Sequence, residues 1–531
     1  MKPRVIKVSN EKTRSLRNTL KENLGIENFQ LYFPALSLWF NYYNNDSFQK
    51  FTLNSEYLLE SLNHNLEDEF KDTYIKHMFN GLVFNQNTGE KVEKEVFIKM
   101  NPILDVISYI KNDYNLEISE TPNIFNFTTN NKINSYHNSA YIDNFFTYIG
   151  SKYNELNLCP TFPEYYGGFI GVTDKYEYDL SEEYEMIKDL NWFKQNLDRM
   201  FKIRVKELEI PLDEKIVFSG NKSNTENESE EENEKEDEEE DESEIEIELE
   251  DENDEVEEYV EPLEDIIDES EWVTESEGED NSENDSVSSF EIDSTVNQVH
   301  YCKFKRFPVQ LVAMEKMEYT LENLVEDLEY EISEEEWLGI FFQLCFGLSV
   351  AFKRNKFVHN DLHCSNIMFV KTAKEYLYFK FKSKVFRIPT FGRITKIIDF
   401  GRATFTVDNK LFFSDVFRKN GDAEGQYSFP YNNNLKNCKV KPNPSFDLCR
   451  LTKTIIDYFE EGSDLYKLLE LWCSDKYGNS LLEHDDDFDL YRVIAKNVRS
   501  AVPVKQLDKK VFKRFIIDES ELPEDEILYK F

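Results

Sequence analysis

The sequence predicts an α+β protein in two parts, a small β-rich one followed by a larger, mainly helical one, with a long acidic insertion in the first. Three observations predict it. TYIKHMFNGLVF and VEKEVFIKM, separated by the polar NQNTGEK, alternate apolar and polar residues and read as a hairpin. Apolar residues at helical spacing run through 138–156 and again from Trp337 to Phe352. Residues 221–300 hold 37 Asp or Glu and 2 Lys, which accounts for −35 of the chain's net −44.

Taken in order, 1–70 reads as a partly helical extension and 71–220 as the first stretch of the β-rich part. Within it, Ile142, Phe145, Phe146, Ile149, Tyr153 and Leu156 share one face of a helix. CPTFPEYYGGFIGV then breaks at two prolines and enters a strand. The acidic segment 221–300 cannot bury enough apolar surface to fold alone, so a disordered insertion is expected. Ser229, Ser243 and Ser276 each have an acidic residue three positions on, a pattern suited to an acid-directed kinase. Residues 301–318 carry the buried strand FPVQLVAMEKM, and 319–531 form the helical part. There Ser333 with Glu336 reads as a capping box ahead of the long apolar helix. EYLYFKFKSKVFRIPTFGR reads as an extra hairpin, RITKII as a short buried strand and PSFDLCRLTKTIIDYF as another apolar helix.

Several classes are disfavoured. The start is polar, without the apolar core of a signal peptide, and the run LGIFFQLCFGLSVAF is short for a bilayer. The chain is therefore expected to be neither secreted nor membrane-spanning. Seven Cys without a CxxC pair suit a reducing compartment and argue against a disulfide framework or a zinc site. The acidic charge and the absence of a dense basic stripe argue against direct nucleic-acid binding. The acidic segment itself suits docking of basic proteins, steered electrostatically and weakened by salt.

FVHNDLHCSNIMFV (357–370) carries the chemistry. Phosphoryl transfer needs nucleotide and acceptor held in line, metal ions against the phosphate charge, and a carboxylate near the acceptor's proton. Asp361 is the candidate carboxylate. Asn366, five residues on, and Asp399, after the strand RITKII, are candidate oxygen ligands for Mg²⁺, which takes few protein ligands and fills the rest with phosphate and water. Lys99, closing VFIK on a predicted strand, is placed to hold the α and β phosphates.

VFIK, HNDLHCSN and IIDFG resemble the protein-kinase signature set. FIKMNPILDVISYI, NSAYIDNFFTYIGSK, FRIPTFGRITKIIDFGRA and FDLCRL look like the serine/threonine kinases of giant DNA viruses of the mimivirus type, over roughly 70–220 and 300–531. The resemblance implies a bilobal kinase fold, ATP with Mg²⁺, Ser/Thr hydroxyls of proteins as acceptors, and an intracellular setting, host cytoplasm or virion. It also implies nucleotide contacts at Gly81 and at Glu315 and Met317 after the last strand of the small lobe. His363 stands where such kinases usually place a Lys near the γ-phosphate.

The pattern also has departures. Gly81 and Gly89, the glycines between Asp72 and Lys99, form no G-x-G-x-x-G array. The acidic partner of Lys99 is Asp143 or Glu155. Asn360 replaces an Arg that commonly pairs with a phosphorylated activation loop, so activity is expected to be independent of such phosphorylation. No Ala-Pro-Glu closes the activation segment, and GQYSFPY (425–431) stands there instead. Asp447 in SFDLCRL resembles the buried Asp that anchors the catalytic loop. Two alternatives stay open beside an active protein kinase: a weakly catalytic interaction module with an acidic arm, and a small-molecule kinase of choline or aminoglycoside type.

Overall fold

Six strands form the main sheet in the order Glu27–Gln30, Tyr165–Thr173, Phe307–Glu315, Lys91–Pro102, Met78–Asn85, Tyr57–Asn65, each antiparallel to its neighbours. The computed structural model describes residues 2–40, 47–65, 77–114, 120–125, 130–208, 297–419, 421–429, 440–484 and 487–531. Residues 1–206 and 298–531 make one unit. The second, 207–297, lies almost wholly outside the described residues, and with it nearly all of the acidic segment, including Ser229, Ser243 and Ser276.

The hairpin expected after Asp72 is Met78–Asn85 paired with Lys91–Pro102, with Phe79 opposite Val96 and Gly81 opposite Lys94. Val96 and Ile98 are fully buried on one face. The two-residue period of a strand therefore turns Lys99 to the other face. The stretch before residue 70, read as an extension, holds the helix Arg14–Leu24 but also supplies both edge strands of the sheet. Tyr57–Asn65 is bulged between Leu59 and Ser61 and between Leu62 and His64. Each bulge breaks the alternation by which a strand is recognised.

The helix Ser139–Glu155 starts on Asn138, whose side chain accepts the Ala140 N–H at 3.0 Å. It packs against the strand Tyr165–Thr173 at Gly168, where a Cβ would fall 2.1 Å from Oδ1 of Asn144. Only glycine permits this approach, and it seats the neighbouring Asp143 over the sheet. Beyond that strand, Glu177–Asp179, Asn297–Phe304 and Phe201–Leu208 make a small three-stranded sheet. The chain enters residues 209–296 from one of these strands and returns into its neighbour.

The helical part is built on Glu334–Asn355. Ser333 Oγ accepts the Glu336 N–H at 3.3 Å, half of the expected box. The Glu336 carboxylate instead takes the Tyr330 hydroxyl at 2.7 Å and lies 3.2 Å from Arg393. By length and composition this helix would pass for a membrane span, but 89% of its most apolar stretch is buried, as in a core helix. The extra hairpin, Tyr376–Phe381 with Lys384–Pro389, joins Ile516–Ile517 and Leu528–Lys530 in a four-stranded sheet. Phe379 packs on Phe342 and Phe346 of the central helix. The helices Phe446–Ile455, Asp464–Trp472 and Asp487–Asn497 complete this part.

Candidate active site

Lys99 Nζ lies 3.0 Å from a carboxylate oxygen of Asp143 and 3.0 Å from one of Asp399. Three segments far apart in sequence thus meet at one ammonium: a sheet strand, the Ser139–Glu155 helix and the turn after Arg393–Ile397. Burial works against the Lys99 charge, but Asp143 and Asp399 outweigh it and hold the ammonium well above its ordinary value. Lys99 in turn holds Asp399 below the usual carboxylate range, against the cost of burial. Asp143 is the acidic partner that the sequence left open. Glu155 at the other end of the helix pairs with Lys152 and accepts the Glu56 N–H at 3.3 Å.

Asp143 also ties the helix to the Asp-Phe-Gly turn. Its Oδ1 accepts the Phe400 N–H at 2.7 Å and its Oδ2 the Asn101 amide at 2.6 Å. The Phe400 ring is buried against Phe146, Phe162 and His359, with centroids 4.9, 6.0 and 5.7 Å away. Asp399 itself has φ +62°, a left-handed conformation uncommon outside Gly and Asn or Asp. That conformation turns its carboxylate out of the strand direction. Oδ1 faces Lys99, and Oδ2 accepts no hydrogen bond among the described residues.

The loop 359–366 is held from beneath. The buried Asp447 accepts the N–H groups of His359 at 3.0 Å and of Asn360 at 2.9 Å, one on each oxygen. Burial pushes this carboxyl up to about 6, and the two donors oppose the shift. His359 Nδ1 accepts the Asp361 N–H at 3.3 Å, which leaves Nε2–H to donate to the Ile398 carbonyl at 2.8 Å. The loop is thereby joined to the residue just before Asp399. Asn366 donates its amide to the Asp361 carbonyl at 3.0 Å and to His363 Nε2 at 2.9 Å. Its Oδ1 accepts no hydrogen bond among the described residues. Burial holds the His363 imidazole below its ordinary value, against the pull of Asp361. A neutral ring that accepts at Nε2 fits the Asn366 contact.

The donor set suits Mg²⁺. Asn366 Oδ1 and Asp399 Oδ2 are hard oxygen atoms without competing partners, and an ion held by few carboxylates plus phosphate needs no larger cluster. No group of three or more His, Cys, Asp or Glu side chains converges among the described residues.

Asp361 is held by residues that motif reasoning did not reach. The Tyr491 hydroxyl donates to its Oδ1 at 2.6 Å, and Arg402 Nε lies 3.6 Å from its Oδ2. At the end of Phe307–Glu315, the Glu315 side chain is committed inward, 2.6 Å from Lys396 Nζ, and accepts the Glu164 N–H at 2.9 Å. The Met317 N–H has no partner among the described residues, so at this connection a backbone donor is free for a nucleotide. Gly81 lies within Met78–Asn85, where a Cβ would fall 2.7 Å from Val96 and 3.0 Å from Leu59. Its lack of a side chain serves strand packing at that point.

No family model matches the chain. Curated relatives match parts of it. A serine/threonine-protein kinase haspin of Bos taurus is 30% identical over 93 residues, 18% of this chain and 12% of its own. A serine/threonine-protein kinase haspin homologue of Drosophila melanogaster is 28% identical over 120 residues, 22% of this chain and 21% of its own. An uncharacterised protein of Caenorhabditis elegans is 34% identical over 66 residues, 12% of this chain and 22% of its own. The chain thus spans from 12% to 22% of the length of these relatives. A crystallised kinase domain aligns with 39% of this chain and 74% of its own at 14% identity, with a TM-score of 0.16. Over the matched segments the chain is similar to haspin-type protein kinases.

Three contacts of the site had no sequence signal. Tyr491 stands 130 residues from Asp361, in a helix whose apolar face gives no hint of it. Tyr427, which donates to Asn360 at 2.7 Å, lies in a segment of irregular structure. Arg402, two residues after Phe400, could have been singled out as a cation at the end of the Asp-Phe-Gly turn, but nothing in that spacing points it at Asp361.

Proposed function

We propose that the protein transfers the γ-phosphate of ATP to Ser or Thr hydroxyls of protein substrates. The observation that carries this is the meeting of Lys99 with Asp143 and Asp399, beside a loop that presents Asp361 and Asn366. A lysine held charged between two carboxylates suits the α and β phosphates. Asp361 takes the acceptor's proton as the acceptor oxygen bonds to the γ-phosphorus and the bond to the β–γ bridging oxygen breaks, releasing ADP. Asn366 and Asp399 would hold Mg²⁺, which supplies charge against the phosphates. The Met317 N–H would receive the base, while the Glu315 side chain faces away to Lys396. His363 acts on the γ-phosphate only through its free ring edge, since Nε2 is engaged by Asn366. The similarity to haspin-type kinases supports Ser/Thr as the acceptor class. The acidic segment makes basic proteins the first substrates to try.

The test is transfer of label from γ-labelled ATP with Mg²⁺ to basic proteins, with wild type beside Asp361→Asn and Asp399→Asn. Label on Ser or Thr with wild type alone supports the proposal. ATP binding without transfer would replace it with a non-catalytic interaction module, and label on a small aminoalcohol or aminoglycoside would replace it with a small-molecule kinase.

A further inference from the structure

We propose that Tyr491 is a positioning residue for the transfer step: its hydroxyl fixes Oδ1 of Asp361 and leaves Oδ2 to take the acceptor's proton, with Arg450 setting the direction of that hydrogen bond. The proposal rests on the kinase function above.

The direction follows from counting protons. Arg450 Nε–H can only donate, and it donates to the Tyr491 hydroxyl at 2.9 Å. The phenol carries one proton, and an ionised carboxylate can only accept. The chain of bonds therefore runs from Arg450 through Tyr491 to Oδ1 of Asp361, at 2.6 Å for the second bond. With its proton committed there, Tyr491 is no rival for the acceptor's proton. Burial, and then Asp361, push the phenol's pKa up, so it stays protonated and a donor.

The ring is pinned as well as the hydroxyl. The Arg450 guanidinium lies 5.3 Å and the Arg402 guanidinium 5.7 Å from its centroid, and the Phe446 ring is 5.6 Å away. A hydroxyl held in this way is a fixed strut, not a mobile gate. Arg402 also lies 3.6 Å from Oδ2 of Asp361, an ion-pair distance beyond that of a hydrogen bond. Oδ2 is thus the oxygen with a lone pair free for the acceptor.

Arg450 stands three residues after Asp447 in the helix Phe446–Ile455, one turn along the same face. Asp447 holds the backbone of the catalytic loop through His359 and Asn360. Arg450 holds the loop's reactive side chain through Tyr491. One helix thereby fixes both the path of the loop and the rotamer of its carboxylate.

The test uses the full chain, Mg²⁺·ATP and myelin basic protein, with wild type, Tyr491→Phe and Arg450→Gln. Phe keeps the ring and its stacking and removes one oxygen. The expected result is a fall of about 10- to 100-fold in kcat with the KM for ATP within about twofold of wild type, the signature of a misplaced reacting group. Arg450→Gln should lower kcat in the same sense by a smaller factor. Melting curves of both variants show the folded fraction, so a loss from unfolding is separated from a loss of position. Unchanged kcat in folded Tyr491→Phe, or a loss confined to the KM for ATP, overturns the proposal and leaves the kinase function standing. No transfer to myelin basic protein or to the chain itself by wild type removes both.

Discussion

The Tyr427 hydroxyl donates to Oδ1 of Asn360 at 2.7 Å, and both residues are buried. Asn360 has φ +66° and spends its amide protons on the Val358 and Arg402 carbonyls, at 3.1 and 3.0 Å. Where an Arg would reach for a phosphate on the activation segment, a neutral side chain here bonds that segment directly. The segment is also tied to the Asp143 helix. Asp415 accepts the Ser139 N–H at 3.1 Å and pairs with Lys132 at 3.0 Å.

The segment should therefore hold its shape without phosphorylation. Of its Ser and Thr between 402 and 430, Thr404 and Ser414 are buried, and each makes a structural contact. Substituting those two would damage the fold whatever their chemistry. The informative variants are Thr406→Ala and Ser428→Ala. Both should keep wild-type transfer, and phosphatase treatment should not lower it. A loss of tenfold or more on dephosphorylation would contradict this. Tyr427→Phe should cost about 1–3 kcal/mol in urea unfolding, because it strands a buried acceptor.

The pair Lys99–Asp143 should separate catalysis from folding. Asp143→Asn keeps an oxygen for the Phe400 N–H and removes the charge that holds Lys99. Transfer should fall by at least about tenfold with a raised KM for ATP, and the melting temperature should fall less than in Asp143→Ala. Asp143→Ala should lower transfer and stability together, because it leaves the Phe400 N–H and the Asn101 amide without their acceptor and Lys99 with Asp399 as its remaining carboxylate. Equal activity of Asp143→Asn and wild type would show that the ion pair is not needed for transfer.

Legibility in the sequence followed the range of the interaction. Elements with an uninterrupted period were readable: the hairpin around Val96 and Ile98, the helix with Phe145 and Phe146, and the central helix from Trp337. The Tyr57–Asn65 strand was not, because two bulges spoil its period. In the candidate site, Asp361, Asn366, Asp399 and Lys99 stood out because the proposed chemistry would put them at fixed places along the chain. Asp143 could be narrowed to one of two acids on a helix but not chosen, since the choice depends on which end of that helix faces Lys99. Tyr427, Tyr491 and the Glu315–Lys396 pair are purely tertiary. They join segments whose separation carries no chemical constraint, so no spacing announces them.

Acidification should loosen the front of the Asp143 helix through His137. This ring donates from Nδ1 to the Phe413 carbonyl at 2.9 Å and stacks on Phe413 with centroids 4.0 Å apart. Burial takes its pKa down from 6.5 to about 4. A lowered histidine favours folding when neutral. Its contribution is fully present above about 6.5 and is lost as the pH falls through about 4, a difference of order 3 kcal/mol. Asp447 acts in the opposite sense: raised by burial to about 6, its contribution is present below its ordinary 3.8 and is lost as the pH rises through 6. Comparing wild type with His137→Asn cancels that second effect. Between pH 7 and 4.5 the wild-type melting temperature should fall more steeply than that of the variant, and parallel curves would rule His137 out as the cause.

The pair Glu315–Lys396 offers a cleaner energetic test, because it lies beside the proposed nucleotide contact at Met317 without belonging to it. Lys396 is almost fully buried and donates to Glu315 at 2.6 Å and to the Phe162 carbonyl at 3.1 Å. Removing the lysine leaves the mostly buried Glu315 carboxylate, 14% exposed, without its cation, so Lys396→Met should cost about 3 kcal/mol in urea unfolding. Glu315→Gln made in the Lys396→Met background removes the stranded carboxylate and keeps an oxygen for the Glu164 N–H. The double variant should therefore be more stable than Lys396→Met alone. Nucleotide affinity in Glu315→Gln should stay within about twofold of wild type, since the Glu315 side chain is engaged by Lys396 and the Glu164 N–H. A large loss of affinity with unchanged stability would mean that the carboxylate turns outward to the nucleotide, and the pair with Lys396 would lose its structural role.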